Sequence, residues 1–144
     1  MKIAICASLD FTNEIIDISK QLTERGHDVI IPQTAEMILN KEVTLEQILK
    51  EKENGEISER AIRQNSIRYY FEIIKKVDAI LVLNFEKKGT KYYIGGNVFL
   101  EMGFAHVLNK KIFLLNEIPD ISYKDEILAM QPIILKRDLN KITN

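Results

Sequence analysis

Asp78-Ala-Ile-Leu-Val-Leu-Asn84 is the most hydrophobic segment of the chain, and its surroundings decide the fold. An unbroken aliphatic run bounded by polar residues suits a strand buried on both faces, as strands of parallel sheets are. Upstream, Glu56–Lys76 reads as one long helix. Its inner stripe is Ile57, Ala61, Ile62, Tyr69 or Tyr70, Ile73, and Ile74 or Val77. Downstream come a loop over Phe85–Gly95, a helix over Gly96–Leu108, a strand over Lys111–Leu115, a short helix over Lys124–Met130 and a last strand over Pro132–Leu135.

The amino-terminal half repeats the alternation. Lys2–Cys6 (KIAIC) is a short apolar run, and Asp10 or Thr12 can cap a helix carrying Ile15, Ile18 and Leu22 at helical spacing. Gly26 stands where a left-handed residue closes that helix. His27–Ile31, stopped by Pro32, is the second strand. Gln33–Asn54 is polar and reads as a loop with one short helix near Thr44–Lys50, and Asn54-Gly55 is a break.

Strands alternating with helices imply an α/β fold with a parallel sheet, right-handed crossovers and helices on both faces. Five strands in one 144-residue domain suit the flavodoxin-like order 2-1-3-4-5. Ligands then bind outside the carboxyl ends of the strands, at the switch point between the first and third. That crevice collects Ala7, Ser8 and Leu9, with Asn84 and Phe85 after strand three and Asn116 after strand four.

Composition removes several classes. The 20 Lys and Arg balance 21 Asp and Glu, giving a net charge of −1, whereas a nucleic-acid binder would carry a basic excess. A single cysteine, Cys6, makes no internal disulfide, and with His27 and His106 it gives too few ligands for zinc. No apolar stretch reaches the length of a membrane span or a signal core. The reading is a soluble, cytoplasmic domain with no metal, no membrane and no nucleic-acid polymer as partner.

The chemistry concentrates in Tyr92–Ala105, YYIGGNVFLEMGFA. Gly95-Gly96-Asn97 opens a helix, where unpaired N–H groups can meet an anion and glycines allow close approach. Glu101 follows Asn97 by one helical turn and is the only charge between Tyr92 and Phe104. It is either a nucleophile or general base on the crevice, or a solvated helix residue. Ser8 either donates to a phosphate or sugar or caps the first helix. Asn84 and Asn116 either orient a ligand or close loop hydrogen bonds. Arg60, Arg63 and Arg68 either reach a phosphate or form a solvated face, Cys6 reads as a small core residue, and His106 lies off the face of Glu101.

Five pieces of sequence resemble the nucleoside 2-deoxyribosyltransferase family, which includes the 2'-deoxynucleoside 5'-phosphate N-hydrolases. They are Cys6-Ala-Ser8, Gly26-His-Asp-Val29, Asp78-Ala-Ile-Leu-Val82, Glu101-Met-Gly-Phe-Ala105 and Lys110-Lys-Ile-Phe-Leu114. The resemblance implies that Glu101 attacks C1' of a deoxyribose, expels the base and passes the sugar to water or a second base, the logic of a retaining glycosidase. No cofactor is implied, and no hydroxyl-rich phosphate loop for a flavin follows strand one. Two positions depart from the family. Tyr70 stands eight residues before Asp78, where the family's second catalytic position has an aspartate. Gly95 stands six before Glu101, where an Asp or Ser usually holds the 5' end of the sugar.

Glycine there favours a nucleotide, its phosphate cradled by Ser8 and the Gly95, Gly96 and Asn97 backbone. The Gly-Gly-to-Glu spacing also resembles the phosphoribohydrolases, which cleave an N-glycosidic bond of a nucleotide; their Gly-Thr is absent here. A non-catalytic nucleotide-binding module is the other alternative. Relatives complete their sites with a neighbouring subunit, implying a homodimer or higher homo-oligomer, with Tyr92, Tyr93 and Phe99 at the interface.

Overall fold

A computed structural model describes residues 1–143. Its sheet contains β1 (Lys2–Cys6), β2 (Asp28–Ile30), β3 (Ala79–Val82), β4 (Lys111–Leu114) and β5 (Ile133–Ile134). All neighbours are parallel and the order is β2-β1-β3-β4-β5, the Rossmann-like arrangement expected from the alternation. Asp78 fixes where β3 starts: its backbone N–H donates to Lys2 O at 2.9 Å, and its carboxylate accepts from Lys2 N–H at 2.7 Å.

The pleat sends alternate side chains to two cores. Ile3, Ile5, Ala79, Leu81 and Phe113 face α1 (Thr12–Glu24), which buries Ile15, Ile18 and Leu22. Ala4, Cys6, Ile80, Val82, Ile112 and Leu114 face the opposite layer. That layer holds α5 (Ser66–Lys75), α6 (Gly96–Val107) and α7 (Lys124–Ala129), with Phe71 of α5 edge-on to Phe104 of α6 at 5.1 Å. Gly26, at φ 85°, closes α1 in the conformation glycine adopts without strain.

Two segments differ from the sequence reading. Gln33–Asn54 contains two helices, α2 (Gln33–Leu39) and α3 (Leu45–Glu53). The second was expected and carries a capping box, Thr44 and Gln47 each bonding the other's backbone N–H. The first was not expected, because a seven-residue helix that buries Thr34 and Ala35 leaves no apolar period to read. Glu56–Lys76 is not one helix but α4 (Ile57–Gln64) and α5, broken at Asn65, whose φ of 49° is the left-handed conformation Asn tolerates. The break ends the predicted stripe. Tyr70, Ile74 and Val77 are buried, whereas Ile62 is 78% exposed.

Candidate functional site

A cleft of about 450 Å³ opens at the carboxyl end of β1. Its walls come from the β1–α1 turn (Ala7, Ser8, Leu9), α4, the start of α5, the loop carrying Lys87 and the first turns of α6. Ser8, Tyr70, Gly95, Gly96, Asn97 and Glu101 all line it. Asn84 and Asn116 do not. They lie two residues past the ends of β3 and β4, and their amides join loops. Asn84 donates to Glu117 O at 2.8 Å and accepts from Asn116 N–H at 2.9 Å, while Asn116 donates to Asn84 O and accepts from Arg137.

Glu101 occupies an unusual position for a carboxylate. On α6 the residues turned to the sheet are Val98, Met102 and Ala105, and Glu101 falls on the same stripe, only 8% exposed. Burial pushes its carboxyl from 4.5 up to about 8, despite opposing help from the Cys6 thiol and Asn97. Asn97 Nδ2 donates to Glu101 Oε1 at 3.2 Å, holding the carboxyl one turn from the helix start. Cys6, read as a small core residue, is core and also the strand neighbour of Glu101. Burial first, then the adjacent carboxylate, raises its thiol well above the ordinary value.

Tyr70 is buried beside this pair, and its hydroxyl donates to Ile5 O of β1. Burial raises that hydroxyl further, with Cys6 and Glu101 adding to the effect. The tyrosine thus meets Glu101 as a neutral, backbone-anchored group and not as a second carboxylate. Gly95 precedes α6 and leaves it without a side-chain cap, and the helix starts at the cleft wall. A side chain at Gly95 would press a Cβ to 3.3 Å from Tyr93, whereas one at Gly96 would meet nothing within 4 Å.

Several cleft residues escaped the sequence reading. Lys52 of α3 reaches Asp10 Oδ1 at 2.7 Å, and Lys87 reaches Asp10 Oδ2 at 3.0 Å and Ser8 Oγ at 2.9 Å. The partners lie 42 and 79 residues apart along the chain, so no local pattern announces them. Burial opposes the charge on Asp10, but the hydrogen bonds from Lys52 and Lys87 outweigh it and lower its carboxyl. Arg60, which the sequence reading allowed to reach a phosphate, does line the cleft but is closed by a two-pronged pair with Glu51. Gln33 Oε1 is the buried side-chain oxygen without a hydrogen-bond partner among the described residues. Gln33 lines the cleft too, but this oxygen is itself buried away from it.

Within the chain, Lys87 lies 5.6 Å from the Tyr93 ring, and Phe99 lies 4.6 Å from Tyr123 with the rings tilted by 36°. Among the described residues no three His, Cys, Asp or Glu side chains gather as metal ligands, and no helix is long and apolar enough to cross a membrane. No family model matches the chain, and no curated protein matches it.

Proposed function

We propose that the protein cleaves or transfers the N-glycosidic bond of a nucleoside or nucleoside 5'-monophosphate, with Glu101 as nucleophile. The observation that carries this reading is the Glu101 carboxyl itself, set on the buried stripe of α6 yet open to a cleft at the switch point of the sheet. Maintaining a carboxyl there costs stability, and the return is strong interaction with positive charge developing nearby. An oxocarbenium-like C1' is such a charge. The ionised carboxylate would bond to C1' as the C1'–N bond breaks, the base leaving with the electron pair and gaining a proton. Water or a second base would then displace Glu101.

Incubation with a panel of deoxynucleosides and their 5'-monophosphates, read by chromatography, tests the reading. Free base is expected from wild type and not from Glu101→Ala. No base from any substrate, with both proteins alike, would sink it. A second reading is a binding module without turnover, favoured by Tyr70, whose hydroxyl is engaged by Ile5 O and supplies no second carboxylate. Calorimetry showing tight nucleotide binding without free base would support that alternative. A homodimer also remains part of the proposal, to be measured by light scattering.

A further inference from the structure

Lys87 is only 14% exposed, unusual for a lysine, and its position is fixed by a tight turn. Lys87 and Thr90 exchange backbone hydrogen bonds of 3.1 and 2.9 Å across Lys88 and Gly89, both at positive φ. The ammonium is thereby pinned over Ser8 and Asp10. Lys52 reaches the same Asp10 carboxylate from α3. Two cations thus share one anion, a local charge of +1 on the wall of a cleft in a chain of net charge −1. Burial and the nearness of Lys87 both make the Lys52 ammonium harder to keep, with Asp10 opposing them.

The donors are not exhausted. Each ammonium carries three N–H groups. Lys87 directs contacts to Asp10 and Ser8, and Lys52 to Asp10. Arg60, by contrast, is bound at both prongs by Glu51 and offers no comparable excess charge.

We propose that Lys52 and Lys87, held by Asp10 and Ser8, form the subsite for the phosphate monoester of a nucleotide whose sugar lies against Glu101. The subsite rests on the reading of the cleft as a nucleotide site, and it makes the 5'-monophosphate the preferred ligand over the free nucleoside. It also moves the main phosphate contact away from the Gly95, Gly96 and Asn97 backbone to two side-chain cations. Phosphate on charged donors gains more than on neutral N–H groups, and the gain is sensitive to salt.

Calorimetric titration of wild type with a deoxynucleoside and its 5'-monophosphate tests the subsite. The monophosphate should bind about tenfold more tightly or better, the advantage shrinking as salt is raised. In the Lys52→Gln, Lys87→Gln double variant that ratio should fall to about one, while Lys52→Arg, Lys87→Arg keeps most of it and shows that the pocket still folds. Equal affinities in wild type, or a ratio preserved in the glutamine variant, would overturn the proposal, the latter placing the phosphate at the start of α6. The glycosidase reading fails separately: a lysine-dependent ratio without free base keeps the subsite and removes the chemistry. Free base released equally from both ligands, unaffected by the lysines, does the reverse.

Discussion

Glu101→Gln should make the protein more stable, and increasingly so as pH rises. The substitution retains the shape of the side chain and an oxygen to accept from Asn97, but it removes the titration. In the unfolded chain Glu101 ionises near its ordinary 4.5, and in the folded one near 8. Between those values the folded state keeps a proton that the unfolded state has released. Stability from this group is therefore complete below about pH 4.5 and is lost as pH climbs through about 8. The loss is about 1.4 kcal/mol per pH unit within the window. From about pH 5 to about pH 8 it sums to about 3 to 4 kcal/mol. Cys6 and Tyr70, which sense Glu101, stay neutral throughout that range, and the remaining titrating groups are common to both proteins. At about 3 °C per kcal/mol for a domain of this size, the melting temperatures should diverge by about 10 °C over that range. Parallel thermal melts of the two proteins at closely spaced pH values measure the gap. A gap constant to within about 1 kcal/mol would mean that Glu101 is not the desolvated acid described above.

The same burial sets the pH dependence of turnover. As a nucleophile Glu101 must be ionised, so kcat/KM for base release should rise with pH to a plateau above about 8; a falling limb there would make it the acid that protonates the base. Asn97→Ala removes a hydrogen bond that favours the ionised form, and the rising limb should move to higher pH by up to about one unit. Tyr70→Phe removes the donor to Ile5 O and should cost about 1–2 kcal/mol in denaturant melts, since a buried carbonyl loses its side-chain partner. Gln33→Leu deletes a buried, unpartnered oxygen, so stability in denaturant melts should stay within about 1 kcal/mol of wild type.

Local patterns carried the fold because parallel strands and their helices write their burial into short stretches of sequence. KIAIC and the centre of DAILVLN are apolar on both faces; the first is β1 and the second contains β3. Glu101 could be noticed for a similar reason, as one charge within an apolar helix at the i+3 position from Val98. The helix break at Asn65 left a weaker signal, because Asn is common inside and outside helices and only its backbone angle declares the stop. The cluster of Asp10, Lys52 and Lys87 left none. Its members sit in three polar segments where charge is ordinary, and only the folded topology makes neighbours of them. Asn84 and Asn116 show the converse: strand ends were correctly located, but whether an amide there serves a ligand or a loop depends on partners across the sheet.

The wall that α4 gives the cleft has a consequence for how the cleft opens. None of its residues is buried, and it is tethered by polar contacts, chiefly Arg60 to Glu51 and Gln64 to Thr34. Left-handed backbone at Asn65 already separates its hydrogen-bond ladder from that of α5. Opening α4 therefore exposes little apolar surface, and its free energy lies far below that of global unfolding. Its amides should exchange with deuterium well before those of α6, whose Val98, Met102 and Ala105 are sealed in the core. The floor of the site and its wall should therefore open as separate units, α4 moving while the sheet and Glu101 stay in place.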